Sequence, residues 1–480
     1  MINPKAELFR WGPIPGRPIY TSYFMESISQ SFPKVYRYKW PEHIFYFVQD
    51  KMMFLCEYPA LREVGRKYFT MLLDEKQKKK VCERYETAVN RLQAVQKRVD
   101  DLHLLSDSQL LLLYQQWQGA YLNFWDHGLI PELANWGGEQ ELKEQLQHLP
   151  PATFIQTMEK LAAPIRLSFY QEEELSLLQL KKKEGLSSFH RALQKHVQNY
   201  FWIENSYFET KFLTEKDILH RLAELKGKVF KDKGKDIEEE IDRIKARLRQ
   251  AQEEKRKVIS SFKLSPLKLS PSFQRSLQRT TELLSYCIWW QDARKKQIFI
   301  ANHYITEFMK ELSRRKSLPL AEVEVYWAKE LEQAFAGQLL SPTEVCRRQE
   351  KHCGYYDQHH CVIISDEKRW LQLVGPFLEQ NIAAGTSEVK GLVVSVGQGS
   401  VQGTARIMHS PKEASRVQQG DILITAMTSP EYIVAMRKAI AIVTDEGGIT
   451  CHAAIVSREL GKACIVGTRV WRQKFLKTAT

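Results

Sequence analysis

Residues 444–468 read TDEGGITCHAAIVSRELGKACIVGT, and this stretch decides the fold of the C-terminal part of the chain. It completes a short apolar run, residues 441–444, which predicts a buried strand. The paired glycines 447–448 predict a loop, and a capping threonine and a terminating glycine predict a helix between residues 450 and 461. The apolar run 463–466 is the next expected strand. A strand, loop, helix and strand in this order predict an α/β unit.

The preceding residues extend this pattern. Strands are expected at residues 392–396, 405–408 and 421–425, with glycines between the first two. An apolar face at helical spacing predicts a helix from about Ser429 and Pro430 to Ile440. The C-terminal part is therefore expected to be an α/β domain with the order β-β-β-α-β-α-β.

His452 is the candidate reactive residue of this domain. It lies in the first turn of the predicted helix, where free N–H groups and the helix dipole favour an anion. A histidine with an ordinary pKa is about three-quarters neutral at pH 7, and a neutral imidazole is a competent nucleophile. A phosphoryl group on His452 would therefore suit this position. A lone histidine at a helix start is, however, more often a cap or a packing residue.

The stretch 444–468 closely resembles the phosphohistidine swivelling domain of phosphoenolpyruvate-utilising enzymes, as in phosphoenolpyruvate synthase and pyruvate phosphate dikinase. Residues 391–407 resemble the entry strands of that domain, and GDIL at 420–423, followed by TSP at 428–430, resembles its next segment. The resemblance covers roughly residues 390–468. Residues 289–295 and 344–348 more weakly resemble the helical region of the phosphoenolpyruvate synthase-like branch.

The resemblance implies that His452 accepts a phosphoryl group at one site and that the domain delivers it at another. It also implies residues that support the phosphate, and hydroxyl and guanidinium donors suit that role. These are Gly447, Gly448, Thr450, Arg458 and Thr428.

Some of these residues have alternative interpretations. Arg458 can form a surface ion pair with Glu459 or Asp445, and Thr428 can cap the helix that begins near Pro430. Cys451 can be a reactive thiol at a helix start, but a small packing residue is the favoured interpretation. Asp445 and Glu446 can form a catalytic carboxylate pair, but a solvated loop is favoured.

The remainder of the chain is expected to be mostly helical. Apolar residues at helical spacing predict successive helices between residues 45 and 340, with a helical hairpin near 224–260. The aromatic-rich residues 9–47 are expected to pack as core. The expected domains are therefore a helical region at 1–340, a linker with a short helix and strand at 341–387, and the swivelling domain at 388–480.

The sequence contains no recognisable ATP-grasp region and no room for a phosphoenolpyruvate-binding (β/α)₈ barrel. We therefore expect an ATP-binding or phosphoenolpyruvate/pyruvate-binding partner protein, with Mg²⁺ and ATP or phosphoenolpyruvate bound at the partner's site. Ala463 replaces the proline usual in the family. Only a short tail follows Thr468, so we expect the last strands of the domain to be absent.

Composition and charge bear on three classes of protein, namely nucleic-acid-binding, membrane and secreted proteins. The 70 Lys and Arg against 57 Asp and Glu give a formal charge of +13, but no nucleic-acid motif accompanies it, so nucleic acid is an unlikely partner. No apolar run is long enough for a membrane helix, and the N-terminus does not resemble a secretory leader. The 8 cysteines form no dense framework, and together these features predict a cytoplasmic protein with reduced thiols.

A cluster of His352, Cys353, His359, His360 and Cys361 can in principle bind zinc, but its spacing matches no structural zinc pattern. No metal is therefore assigned. The sequence favours phosphoryl transfer through a phosphohistidine. The alternative is a helical interaction or regulatory protein that carries an inactive remnant of the swivelling domain.

Overall fold

The structure is a computed structural model. It describes residues 2–163, 165–226, 233–262, 270–378, 389–397, 399–409, 411–428, 432–448 and 451–468. The chain divides into two compact units. One comprises Met1–Glu159 with Tyr304–Thr480, and the other comprises Lys160–His303.

An antiparallel sheet forms part of the first unit, with strand order β1-β3-β2-β4-β5. Its strands are β1 (Leu8–Pro15), β2 (His43–Val48), β3 (Lys51–Glu57), β4 (Lys351–Tyr356) and β5 (Cys361–Ile364). Residues 341–387, which we expected to be a linker, thus contribute two strands to a sheet that begins near the N-terminus.

Strands β2 and β3 differ from the expected helices after residue 45. All six residues of β2 are buried, so the strand reads as a continuous apolar run, HIFYFV, without the alternation that identifies a half-buried strand. The two strands are joined at Gln49, whose φ of 52° lies in the left-handed region typical of tight turns. Burial on both faces therefore removed the sequence signal for a hairpin.

Helices make up most of the remaining described chain before residue 379, as predicted. They are α1 (Pro18–Glu26), α2 (Phe32–Val35), α3 (Tyr58–Leu73), α4 (Glu75–Gln96), α5 (Asp107–Gly128), α6 (Ile130–Leu146), α7 (Pro151–Leu161), α8 (Phe169–Lys182), α9 (Phe189–Tyr200), α10 (Glu215–Lys226), α11 (Lys233–Ser261), α12 (Pro271–Lys316), α13 (Leu320–Val323), α14 (Ala328–Phe335), α15 (Pro342–Glu350) and α16 (Glu367–Leu378). No helix in the described ranges is both long enough and apolar enough to span a bilayer.

Two neighbouring helices of the first unit pack unusually closely. A Cβ atom added at Gly137 of α6 would overlap the backbone of Gly65 of α3. Glycine at both positions lets the two helix backbones approach each other. This contact fixes the position of α6, which bears on the site described below.

In the second unit, α11 lies in the region predicted to form a helical hairpin near residues 224–260, and it packs against α8. Ile237, Ile241 and Ile244 of α11 pack against Leu175 and Leu178 of α8. The side of α11 away from these residues is largely charged and exposed. The expected hairpin near 224–260 is described only in part, because residues 227–232 lie outside the described ranges.

The C-terminal α/β region forms a second sheet, with strand order β6-β10-β9-β8-β7. Its elements are β6 (Leu392–Ser395), β7 (Ala405–Met408), β8 (Ile422–Thr425), α17 (Ile433–Lys438), β9 (Ala441–Thr444), α18 (His452–Leu460) and β10 (Ala463–Val466). Strands β7, β8, β9 and β10 run parallel, and β6 pairs antiparallel with β10. The predicted element order β-β-β-α-β-α-β is confirmed.

Candidate active site around His452

The site lies where two neighbouring parallel strands end. Thr425, the last residue of β8, pairs in register with Thr444, the last residue of β9. The loops that follow these strands therefore start side by side at one edge of the sheet. Ligand sites in open α/β sheets lie at this carboxyl edge. The loop after β8 carries Thr428, and the loop after β9 leads to His452.

These two loops meet through a hydrogen bond. Thr428 Oγ1 lies 2.8 Å from His452 Nδ1, and Thr428 is buried. When Nδ1 carries the proton and donates it to Thr428, the lone pair of the neutral ring lies on Nε2. Nε2 is buried in this arrangement. The contact thus selects an orientation of the imidazole, and it accommodates the tautomer whose Nε2 can act as a nucleophile.

Helix α18 begins at His452 itself. Cys451 occupies the N-cap position with an extended backbone, and its Sγ accepts a hydrogen bond from Ala454 N at 3.5 Å. Burial raises the pKa of the Cys451 thiol, with the Glu139 carboxylate adding to that effect. Cys451 is therefore a cap held as a neutral thiol, and the positive end of the helix dipole lies at His452.

The glycine loop leading to this helix requires its glycine at residue 447. Gly447 has a φ of 126°, a conformation that residues with a side chain rarely adopt. A Cβ atom there would lie 2.6 Å from Cys451 Sγ. Gly448 has a different neighbour, because a Cβ atom there would lie 3.3 Å from Oε1 of Glu139 in α6. The two glycines thus serve distinct contacts.

Asp445 is a buried residue that anchors the start of the glycine loop. We expected a solvated carboxylate, but Asp445 is only 3% exposed. It accepts a hydrogen bond from Thr468 Oγ1 at 2.7 Å, and Thr468 N donates to Thr444 O at 3.2 Å. The solvated interpretation is therefore wrong for Asp445. Its neighbour Glu446 is half-buried, and its N–H donates to Ala426 O at 3.0 Å, which ties the loop after β9 to the loop after β8.

Arg458 lies farther along α18 than the loop residues. Its Nε donates to Val394 O of β6 at 2.9 Å. Burial lowers the pKa of the guanidinium, and the carboxylate of Glu159 opposes that effect. Arg458 therefore ties α18 to the edge strand β6 in this arrangement. By surface area the whole residue is half-buried.

Thr450 lies outside the described residues, and so do Ser429 and Pro430 of the expected helix start. Among the other predicted site residues, the structure brings His452, Thr428 and the glycine pair together at one edge of the sheet. The contributions of Asp445 and Glu139 were not predicted. No local signal marks Glu139, which lies far upstream in a different helix.

Within the described ranges, no three histidine, cysteine or acidic side chains converge in a way that could hold a metal ion. The residues around His452 thus do not fit a Mg²⁺ site, since Glu139 pairs with Lys143 and Asp445 is bonded to Thr468. The His352 cluster does not converge either. Burial lowers the pKa of His352 to about 3, and its Nδ1 contacts Arg348 O at 2.9 Å.

The C-terminal region is similar to parts of known proteins. Residues 417–479 match the family "PEP-utilising enzyme, mobile domain". A probable phosphoenolpyruvate synthase of Archaeoglobus fulgidus is 56% identical over 88 residues, which are 18% of this chain and 11% of that protein. A second, from Methanothermobacter thermautotrophicus, is 40% identical over 138 residues, or 28% of this chain and 20% of that protein.

The phosphoenolpyruvate synthase of Pyrococcus furiosus is 52% identical over 90 residues, which are 19% of this chain and 11% of that protein. The chain thus spans a small part of the length of these curated relatives. The matched region contains the strands, loops and helix that form the His452 site. The C-terminal part of this chain is therefore similar, over residues 417–479, to the mobile domain of phosphoenolpyruvate-utilising enzymes.

Proposed function

We propose that His452 carries a phosphoryl group in a phosphoenolpyruvate synthase-like transfer reaction. The observation that carries this proposal is the 2.8 Å contact between Thr428 Oγ1 and His452 Nδ1 at the start of α18. It holds the ring in one orientation and leaves Nε2 as the nucleophilic nitrogen. Such fixed orientation of a reacting group is a principal source of catalytic rate.

The chemical step follows from that geometry. The Nε2 lone pair attacks the phosphorus of the donor, the Nε2–P bond forms, and the bond from phosphorus to the leaving oxygen breaks with its electrons. The proton stays on Nδ1, held by Thr428. The phosphoryl group then carries about two negative charges, which the positive end of the α18 dipole stabilises. In transfer to the acceptor, an acceptor oxygen forms a new bond to phosphorus, and the Nε2–P bond breaks with its electrons returning to Nε2.

We propose that partner chains supply the donor and acceptor sites, with ATP or phosphoenolpyruvate as donor. Phosphoryl transfer ordinarily requires Mg²⁺ and cationic clamps around the phosphates, and we propose that the partner sites provide them. No step at His452 itself is assigned to a metal ion. We propose that the reaction takes place in the cytoplasm.

The donor can be identified by incubating the purified protein with Mg²⁺ and either ATP or phosphoenolpyruvate, with and without cell extract. Mass spectrometry at alkaline pH then reads the phosphate on the peptide that contains His452. Labelling that requires extract supports a carrier with separate partners. Labelling by the protein alone would overturn the proposed division between chains. No labelling under any condition, with the α/β region folded, would support the inactive remnant instead.

A further inference from the structure

The glycine loop of the mobile domain rests on a buried carboxylate of the helical region. A Cβ atom at Gly448 would lie 3.3 Å from Oε1 and 3.6 Å from Oε2 of Glu139. Glu139 is only 3% exposed, and Lys143 Nζ lies 2.7 Å from its Oε1. A carboxylate is an unexpected neighbour for a loop that presents a phosphorylated histidine, because like charges repel.

Glu139 is held firmly in this position. It lies on α6 just after Gly137, the residue whose contact with Gly65 seats α6 against α3. The preceding residues of α6 are also buried, including Leu133 and Ala134. This packing holds the backbone of α6 in place, and the ion pair with Lys143 restrains the carboxylate itself.

Two buried carboxylates lie beside the loop. They are Asp445 and Glu139, and the electrostatic influence of Glu139 extends to Cys451, where Arg458 opposes it. Glu159 acts on Arg458 of the same helix. On the positive side, Arg458 donates to Val394 O, and Lys143 is already paired with Glu139. A phosphoryl group on His452 would thus add about two negative charges to a loop that already has two buried carboxylates beside it.

We propose that the contact between Gly448 and Glu139 is a latch that responds to the charge on His452. The unphosphorylated domain docks on α6 with Nε2 buried, and a phosphoryl group on Nε2 prevents it from docking again. This inference rests on the proposed function and adds a regulatory step to it. The loaded carrier stays free to reach an acceptor, and the unloaded carrier returns to a shielded position.

The charge dependence can be tested without phosphorylation through a matched pair of variants. Gly448→Asp places a carboxylate against Glu139, and Gly448→Asn places a neutral group of nearly the same size there. Amide hydrogen exchange of the full-length protein reports docking through peptides from residues 136–148 and 440–448. We expect roughly tenfold faster exchange in Gly448→Asp than in Gly448→Asn, and the addition of Glu139→Gln should remove most of that difference. Equal exchange in the two single variants would overturn the latch.

The second arm uses the phosphohistidine itself, made chemically with phosphoramidate. Phosphoramidate transfers its phosphoryl group to Nε2 and loses ammonia, so the arm does not depend on ATP, phosphoenolpyruvate or a partner. Phosphorylation should speed exchange in the same peptides of the wild type and of Glu144→Gln, a control on the exposed side of α6. It should have little effect in Glu139→Gln.

Slower exchange after phosphorylation would mean that Lys143 attracts the phosphate and tightens docking, which would also overturn the proposal. The two proposals fail separately. Absence of labelling by ATP and phosphoenolpyruvate counts against the proposed function, whereas the aspartate and asparagine pair and the phosphoramidate arm still decide the latch.

Discussion

Thr428 Oγ1 lies 2.8 Å from Nδ1 of His452, and this contact joins the loops that follow two neighbouring parallel strands. The register of β8 and β9 brings the two residues together, although 24 positions separate them in the chain. The contact orients the ring, and in the proposed reaction the hydroxyl accepts from Nδ1 so that Nε2 attacks. The contact therefore connects the topology of the sheet to the proposed reaction.

Removal of the Thr428 hydroxyl should slow phosphoryl transfer to His452. In Thr428→Val the side chain keeps its shape but cannot accept a hydrogen bond from Nδ1. Loss of one hydrogen bond of this kind corresponds to roughly a tenfold lower rate. The initial rate of labelling, with the donor that labels the wild type, measures the effect. Thr428→Ser should restore most of the rate. A valine variant as fast as the wild type would show that the contact does not orient the reactive ring.

Substitution of Gly447 should destabilise the C-terminal sheet. Alanine at this position must adopt a φ of 126° and would place its Cβ 2.6 Å from Cys451 Sγ, so we expect a loss of about 2 kcal/mol or more. Gly461→Ala is the matched control, because that residue also has a positive φ but has open space around its Cβ position.

The urea midpoint of unfolding can be measured for both variants by pulse-labelling hydrogen exchange, read on peptides from β8 to β10. The alanine at residue 447 should lower the unfolding midpoint more than the alanine at residue 461. The reverse order would contradict the close approach of Gly447 to Cys451.

The unit formed by residues 160–303 should become more stable as the pH rises from 7 to 10. Burial lowers the pKa of Lys255 to about 7, and its Nζ contacts Ala163 O and Ser285 Oγ, each at 2.5 Å. Over this range the unfolded chain binds a proton that the folded unit does not. The free energy of unfolding therefore rises with pH, by at most about 1.4 kcal/mol per unit, and the slope flattens below pH 7.

The variant Lys255→Met should lose this slope. The exposed Lys257→Met serves as its control, because that side chain is 72% exposed and should leave the slope unchanged. Samples are equilibrated in urea at each pH and then pulse-labelled with deuterium at one fixed pH. Deuterium uptake in peptides of residues 165–226 gives the unfolded fraction, and from it the free energy of unfolding. An identical pH slope in wild type and Lys255→Met would contradict the assignment to Lys255.

The C-terminal fold could be predicted because its signals are local. Short apolar runs mark the strands, and a glycine with a φ of 64° at residue 461 ends α18 as expected. The capping box at the start of α5, formed by Ser106 and Gln109, is likewise a local feature. These features depend on a few neighbouring residues, so the sequence alone reveals them.

The remaining features depend on contacts distant in sequence. Strand β2 pairs with β4, whose residues lie some three hundred positions later, and burial on both faces hides its alternation. Asp445 appears solvated in sequence, because its partner Thr468 becomes a neighbour only when the sheet forms. Glu139 approaches Gly448 only through the packing of α6. Local patterns carry no information about such contacts.

The most direct test of the central claim is mass spectrometry of the phosphorylated protein, in wild type, His452→Ala and His409→Ala. His409 is an exposed histidine of the same domain and serves as the control. With the donor and extract that support labelling, we predict one alkali-stable phosphate on the His452 peptide of the wild type and of His409→Ala, and none in His452→Ala. Undiminished labelling of a folded His452→Ala protein would contradict the assignment of His452 as the phosphate carrier.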